Sequence, residues 1–144
     1  MNNLKGTKTE QNLLKAFANE SMASLKYEIF EEKAKQEGVK EATDFFKEAK
    51  MEERGHAKIW FELLNGKIPS TENNIEQAIQ SENDEWTDSY ENMAQVAEKE
   101  GFTDIAEQFR KVAKEEEGHE GELHTVLNKI KKPKSCGCGC CCED

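Results

Sequence analysis

The sequence predicts an all-α protein, an antiparallel four-helix bundle built from two copies of one helical hairpin. Long stretches place apolar residues at alternating steps of three and four, which is the spacing of one helix face. The 144 residues include only two prolines, and glycines at 38, 66 and 101 stand where periodic stretches end. The segment KQEGVKEATDFFKEAKMEERGH also returns later as EKEGFTDIAEQFRKVAKEEEGH. Together these features favour two similar hairpins over any fold that contains strands.

Capping and breaking residues predict four helices. Thr7 and Glu10 resemble a capping box in front of the first helix, and Pro133 ends the last one. The predicted spans are about 7–38, 40–65, 71–101 and 103–132. We assign residues 1–132 to the bundle and residues 133–144 to a Cys-rich C-terminal tail.

The repeat brings acidic residues into matching positions. Glu20 and Glu82 lie 62 residues apart, and MEERGHA at 51–57 matches KEEEGHE at 114–120 with an offset of 63. Two copies are too few for a solenoid, which needs about three repeats. Two hairpins that pack into one bundle are the simpler arrangement.

The predicted buried face of each helix carries ionisable side chains. The three-and-four register turns Glu53 and Glu116 inward. It turns the acids beside them outward, namely Glu52, Glu115 and Glu117. Seven ionisable residues occupy interior positions: Glu20, Glu53, His56, Glu82, Glu85, Glu116 and His119.

Five carboxylates in an apolar interior repel one another unless positive charge accompanies them. The two arginines, Arg54 and Arg110, lie off the buried faces, which leaves metal as the source of that charge. Two Glu-x-x-His motifs, with a glutamate from each of two other helices, form the ligand pattern of di-iron carboxylate bundles. One such motif is common on a solvated helix, but two copies in one register are a specific signal.

The charge of the chain excludes several classes of partner. The 30 acidic and 20 basic residues give a net charge of −10 at pH 7, which argues against nucleic acid or an anionic membrane. No apolar run approaches the length of a membrane span, and MNNLKGTKTE is too polar for a secretory signal. All five cysteines fall in the last nine residues, so no disulfide framework supports the fold. We expect a cytoplasmic protein.

Several segments resemble the rubrerythrins, of the ferritin-like superfamily, over about residues 4–130. They are FANESMASLKYEIF, EERGHAKIWFELL, ENDEWTDSYENMAQVAEKEGF and EEEGHE. Glu85 has no counterpart in the first hairpin and resembles an additional metal ligand of that family. The resemblance implies a ferritin-like bundle whose di-iron site reduces hydrogen peroxide to water.

The resemblance also implies roles for individual residues. The seven interior residues would bind two iron ions per site, with zinc or a mixed pair as alternatives, and Glu53 and Glu116 would bridge them. His56 and Glu85 would exchange as ligands with redox state. Tyr27 and Tyr90 match aromatic positions where a hydroxyl can hydrogen-bond a ligand carboxylate, and two core aromatics are the alternative. These last four are the candidate catalytic residues: His56, Glu85, Tyr27 and Tyr90.

Many rubrerythrins carry a rubredoxin domain that feeds electrons to the di-iron site. Residues 134–144 are too short for that domain and lack its paired Cys-x-x-Cys knuckles. The resemblance therefore implies an external electron donor, such as a rubredoxin or a reductase. The tail thiols could bind zinc, iron or Cu(I), or exchange disulfides, and a tail without these roles is an equal alternative. They belong to Cys136, Cys138, Cys140, Cys141 and Cys142.

The link between the hairpins is short for a closed bundle. In a bundle closed within one chain, the third helix begins at the end of the bundle opposite to the end of the second helix. Glu53 to Asn65 spans about 18 Å of helix and Thr71 to Glu82 about 16 Å, so the link would have to span about 34 Å. The stretch from Asn65 to Thr71 reaches only about 20 Å. Either the third helix begins later, or the hairpins at one site come from two chains. We predict a homodimer that is domain-swapped.

Two functional hypotheses are consistent with these sequence features. The leading hypothesis is a di-iron peroxidase in oxidative-stress protection. The alternative is a non-enzymatic protein that binds or stores iron or zinc, with the thiolate tail as a second site. A purely structural bundle is hard to reconcile with five interior glutamates.

Overall fold

The computed structural model describes residues 3–131, and within that range the chain forms helices and no strand. The helices are α1 (Lys8–Glu37), α2 (Lys40–Asn65), α3 (Thr71–Asp84), α4 (Tyr90–Lys99) and α5 (Thr103–Lys131), and a π-helical segment, Glu85–Ser89, joins α3 to α4. The all-α class is confirmed, and the helix bounds agree with the predicted spans to within two residues. The predictions for the Cys-rich tail fall outside the described residues.

The chain divides into two compact units on either side of Ile68–Pro69. In the first unit, α1 packs along α2. In the second unit, α3, the π segment and α4 form one continuous helical stretch that packs along α5. Each unit is one copy of the predicted hairpin.

The first helix begins at its predicted cap, with one change of partner. Thr7 Oγ1 accepts a hydrogen bond from the Glu10 backbone N–H at 3.1 Å, as a capping box requires. The Glu10 carboxylate accepts from the Gly6 N–H at 2.6 Å. The Thr7 N–H is already used, because it donates to the Leu4 carbonyl oxygen.

Both hairpins reverse direction at a glycine. Gly38 has a φ of 73° and Gly101 a φ of 87°, in the left-handed region that favours glycine. In both turns the N–H of the following residue bonds the carbonyl oxygen five residues back, as in a Schellman motif: Val39 to Ala34 at 3.0 Å, and Phe102 to Ala97 at 2.8 Å. The duplication seen in the sequence therefore extends to the turn geometry.

Alanine occupies the closest contacts between the helices. In the second unit Ala94 and Ala106 are fully buried and pack with Ala97, against the side chain of Phe109. The buried apolar residues of the first unit are also alanines: Ala34, Ala49 and Ala57. Small side chains let the two helices of each hairpin approach closely.

Part of the predicted buried face is exposed. Six of its apolar residues are between 43% and 54% exposed: Leu63, Met93, Val96, Ile105, Val126 and Ile130. A two-helix hairpin buries only the side chains between its own helices, whereas each apolar stripe is wide enough for a second neighbour. The periodicity identified the apolar face but not how much of it one hairpin covers.

One carboxylate is buried between α1 and α2. Glu31 is 3% exposed, and its two oxygens accept hydrogen bonds from Lys35 Nζ at 2.5 Å and Lys50 Nζ at 2.7 Å. These ammonium groups lower the pKa of Glu31 from the usual 4.5 to about 2. Since Lys50 belongs to α2, the ion pair ties the two helices of the first hairpin together.

The first hairpin should lose stability in acid because of Glu31. Its folded pKa lies below the unfolded value, so its contribution is complete above about pH 4.5 and disappears as the pH falls toward 2. Glu31→Gln should lower the free energy of unfolding at pH 7 and flatten this part of the pH profile. Denaturant unfolding from pH 7 downward measures both, with the exposed neighbour Glu32→Gln as control. Parallel wild-type and Glu31→Gln profiles would contradict the assignment.

The described helices are also unlike membrane spans. No helix within residues 3–131 has both the length and the apolar character that crossing a bilayer takes.

Candidate metal centre

The first unit brings three predicted ligands together between α1 and α2. Glu20 on α1 and Glu53 and His56 on α2 each offer one ligand atom, and these atoms lie within 4.8 Å of one another. His56 Nδ1 is 3.0 Å from Glu53 Oε2, because residues three apart share one side of a helix. The two glutamates are half-buried, and the imidazole is 52% exposed.

The second unit repeats this arrangement. Glu82 on α3 joins Glu116 and His119 on α5, and their ligand atoms again lie within 4.8 Å of one another. His119 Nδ1 is 2.6 Å from Glu116 Oε2 and 3.9 Å from Glu82 Oε2. Six of the seven predicted ligands thus fall into two groups of the same composition, which we call the first and second donor groups.

Burial and a neighbouring carboxylate raise the pKa of one glutamate in each donor group. For Glu20 the main cause is a hydrogen bond with Glu53, followed by burial and the charge of Glu53. For Glu82 the main cause is burial, followed by the hydrogen bond with Glu116 and its charge. The pKa of His119 is raised by its hydrogen bond with Glu116. Each donor group therefore favours an added positive charge, either a proton or a metal ion.

The half-buried acids are the ones that the sequence register turned inward. The side chains of Glu53 and Glu116 are 22% and 16% exposed. Their neighbours in the sequence are exposed: Glu52, Glu115 and Glu117. Each donor group therefore uses one member of an acidic run and leaves the others to solvent.

The second hairpin contains one extra residue in its first helical stretch. Glu85–Ser89 is π-helical, a form that occurs mostly as a single-turn bulge in an α-helix and often at functional sites. The repeat offset changes across this segment: Glu20 and Glu82 differ by 62, whereas Tyr27 and Tyr90 differ by 63. One residue has therefore been added between positions 82 and 90. The change of offset from 62 to 63 is a sequence signal for the π segment, which the sequence analysis did not predict.

Glu85 is the first residue of this π segment and is half-buried. It is not a member of either donor group as defined by mutual distance. Its charge is the smallest of the causes that raise the pKa of Glu82, so Glu85 is within electrostatic reach of the second donor group. Its role as the seventh ligand stays a prediction.

Tyr90 follows the π segment and faces the acids of the second unit. Burial raises the pKa of its phenol, and the charges of Glu85, Glu116 and Glu82 raise it further, as does a hydrogen bond with Glu85. The phenol therefore stays protonated at neutral pH and can donate to a carboxylate. Its ring centroid lies 6.1 Å from that of Phe109.

Tyr27 holds the equivalent position in the first hairpin and packs among aromatic rings. Its ring centroid lies 5.7 Å from that of Phe46 and 6.4 Å from that of Phe30. Phe46 is the repeat counterpart of Phe109, so both hairpins contain the same Tyr–Phe pair. These contacts favour the core-aromatic alternative for Tyr27.

Glu120 is a residue beside the site that the sequence analysis did not single out. Its Oε2 accepts hydrogen bonds from Trp86 Nε1 at 2.5 Å and Asn83 Nδ2 at 3.2 Å. Its Oε1 lies 3.4 Å from His124 Nε2. The bond from Trp86 is the main cause of a lowered Glu120 pKa. Neither a motif nor the repeat pointed to Glu120, because its counterpart in the first hairpin is Ala57.

Two glycines, Gly55 and Gly118, precede the histidines of the donor groups. A missing side chain there could let a neighbouring helix approach. In the described part of the chain, however, a Cβ built at either position has no heavy atom within 4 Å. An alanine methyl group has room at both positions.

Alanine at Gly55 and Gly118 should therefore stabilise the protein. Alanine is about 1 kcal/mol more favourable than glycine in a helix interior, and the two sites lie in separate units, so the gains should add. Denaturant unfolding of the metal-free single and double variants measures the gain. A loss of stability in either single variant would mean that a neighbouring helix does occupy this space.

The donor groups fit a metal such as iron. Each provides two carboxylate oxygens and one imidazole nitrogen, and these donors suit divalent transition metals. A cation would also stabilise the ionised forms of Glu20 and Glu82, whose pKa values are raised by a hydrogen bond and by burial respectively. Both groups can therefore hold a metal ion.

Comparison with known proteins gives a consistent family. The chain matches the rubrerythrin family model over residues 11–127. It is 39% identical to rubrerythrin-1 of Clostridium acetobutylicum, in an alignment that covers 93% of this chain and 77% of that protein. It is 42% identical to a rubrerythrin of Porphyromonas gingivalis, over 86% of this chain and 68% of that protein. For a rubrerythrin of Nitratidesulfovibrio vulgaris the identity is 35%, over 92% and 75%.

The matched region contains both donor groups and the π segment. The family resemblance and the ferritin-like helical fold class are therefore confirmed. On these grounds, the chain belongs to the rubrerythrin family.

Proposed function

We propose that the protein is a di-iron peroxidase, which reduces hydrogen peroxide to water with electrons from an external donor and so protects against oxidative stress. The observation that carries the proposal is the pair of matching donor groups in a rubrerythrin chain. One donor group offers three ligand atoms, which is too few for two metal ions. Both groups together would supply the ligand set of a di-iron carboxylate bundle, and Glu85 would add a seventh ligand.

Each ligand has a distinct part in this proposal. Glu53 and Glu116 would bridge the two irons, and the remaining ligands would each bind one of them. When bound, the irons would supply the two electrons that, with two protons from solvent, convert hydrogen peroxide into two molecules of water.

Glu85 makes the two metal positions inequivalent. The added residue of the π segment occurs only in the second hairpin, so the first hairpin has no matching carboxylate. We propose that Glu85 and His56 alternate as ligands at one position when the redox state changes. The phenol of Tyr90 would remain protonated and donate a hydrogen bond to Glu85, which would hold that carboxylate when it is not a ligand.

Electrons would come from another protein, a rubredoxin or a reductase. The cysteines at 136–142 lie outside the described residues, and a thiolate metal site or disulfide exchange there is a separate proposal. We also propose a cytoplasmic location, because the cytoplasm is a reducing compartment.

We further propose that the two donor groups of one site come from the two chains of a domain-swapped homodimer. α2 ends at Asn65 and α3 begins at Thr71, so the link keeps its short reach of about 20 Å against the 34 Å or so that a closed bundle needs. Each unit also exposes large apolar side chains, such as Phe30 at 46% and Met93 at 47%. These exposed apolar side chains support an interface with a second hairpin, because contiguous apolar surface marks interaction sites.

The proposed function is tested by peroxide oxidation of the loaded protein. The metal-free protein is given Fe(II) without oxygen, at two irons per site, and then hydrogen peroxide. We expect peroxide to oxidise both irons faster than air does, and an added reductant to restore turnover. If peroxide is no faster than air and no reductant restores turnover, the chain is instead a protein that binds or stores metal.

A further inference from the structure

The carboxylate of Glu120 connects α5 to the helical stretch that contains the π segment. Its Oε2 accepts two hydrogen bonds, from Trp86 at 2.5 Å and Asn83 at 3.2 Å. Its side chain is only 17% exposed, and its other oxygen faces His124. Both oxygens of a mostly buried carboxylate are therefore engaged by side chains of the second unit.

The two donors lie on either side of Glu85. Asn83 precedes it by two residues, and Trp86 follows it directly inside the π segment. In α-helical geometry, a one-residue insertion would rotate the residues after it by about 100°, and the wider π turn absorbs this rotation. The direction of the Glu85 side chain therefore depends on where along the helix the extra residue is accommodated. Bonds that hold Asn83 and Trp86 fix that place.

The network occurs only in the hairpin that has the insertion. The first hairpin has Ala57 at the position of Glu120 and Ser21 at that of Asn83. Trp86 lies where the offset changes from 62 to 63, so its counterpart is Ala23 or Ser24. The two serine hydroxyls bond backbone carbonyl oxygens instead, those of Phe17 and Lys50. The first hairpin, which has neither a π segment nor a carboxylate that matches Glu85, therefore has small residues at the three positions of the network.

We propose that Glu120 is a positioning residue, which directs Glu85 toward the metal site by fixing the π segment through Trp86 and Asn83. This inference rests on the proposed function in one respect, the role of Glu85 as a ligand. In this role the Glu120 side chain binds no metal and acts through the helix that carries Glu85.

The first arm of the test uses the metal-free protein. The indole N–H groups of Trp60 and Trp86 give two signals in a proton–nitrogen NMR spectrum, which Trp60→Phe assigns. In Glu120→Ala the Trp86 indole proton should move upfield and exchange about tenfold faster or more, because it loses a charged acceptor. Glu120→Gln keeps one oxygen and should restore part of both effects. Glu107→Ala, an exposed acid on the same helix, should change neither.

The second arm uses Co(II) as a visible probe of the ligand set. Glu120→Ala should change the Co(II) absorption spectrum in the same sense as Glu85→Ala. In the Glu85→Ala background, Glu120→Ala should add nothing, because its effect passes through Glu85. The spectrum of Glu107→Ala should match the wild type.

Three results would overturn the inference. They are an unchanged Trp86 signal in Glu120→Ala, an equal spectral effect with and without Glu85, and a wild type that binds no Co(II). Failure of the proposed function is distinguishable from these. If the wild type and all variants lack peroxide turnover but give the expected indole and Co(II) results, the peroxidase proposal is wrong and the positioning role of Glu120 stands.

Discussion

Glutamine in place of Glu53 or Glu116 should abolish iron binding and peroxide reduction, whereas glutamine in place of the adjacent Glu52 or Glu117 should leave both intact. Glu53 and Glu116 are the half-buried acids within reach of a second carboxylate and a histidine. Glu52 and Glu117 belong to the same acidic runs but are exposed. Each of the four substitutions removes one negative charge, so the variants differ only in which position on the helix is changed.

The expected losses are large. Even a residue that only supports a ligand typically costs about 10- to 100-fold in metal affinity or activity, so a proposed bridging ligand should cost more than 100-fold. Iron content after dialysis and the rate of peroxide consumption measure the two effects, and far-UV circular dichroism shows whether each variant is folded. Comparable losses in Glu52→Gln and Glu53→Gln would mean that the register is wrong or that the acids act only as a diffuse negative surface.

Most of the fold was predictable because its boundaries depend on local chemistry. Thr7 caps α1, and Gly38 and Gly101 adopt the left-handed conformation that ends the first helical stretch of each hairpin. The two donor groups were predictable for a similar reason. Glutamate and histidine three residues apart share one side of a helix, and the repeat pointed to the matching glutamates on the other helices.

Other features depend on contacts that a helical period does not specify. Apolar residues such as Ile105 and Leu63 recur at helical spacing whether they face the other helix of the hairpin or a further partner, and here they are exposed. The Glu31–Lys50 pair and the Glu120–Trp86 bond join residues 19 and 34 positions apart, with no motif to mark them. The π segment differs, since its signal was present in the change of offset from 62 to 63.

Two inactive variants should restore activity to each other if the dimer is domain-swapped. When Glu53→Gln and Glu116→Gln chains are refolded together, half of the dimers should be mixed. In each mixed dimer one site receives both altered residues and the other site receives none. Half of the dimers would then have one intact site out of two, so the mixture should show about a quarter of the wild-type activity per chain. A bundle closed within one chain would give none.

The matched control pairs two changes in the same donor group. Glu20 and Glu53 both belong to the first donor group, so a mixed dimer of Glu20→Gln and Glu53→Gln has one altered residue at each site. This mixture should stay inactive under the same refolding conditions. Recovery in both mixtures would point to residual activity of the single variants, and recovery in neither would contradict the swap.

The proposed cause of the swap, the short link between α2 and α3, can be tested separately. About ten flexible residues inserted between Asn65 and Thr71 would raise its extended reach from about 20 Å to about 54 Å, beyond the distance that a closed bundle needs. The lengthened chain should then close on itself, remain active and elute as a monomer. The Glu53→Gln and Glu116→Gln mixture should lose its complementation in this background. A lengthened chain that still complements would mean that the exposed apolar faces, rather than the short link, hold two chains together.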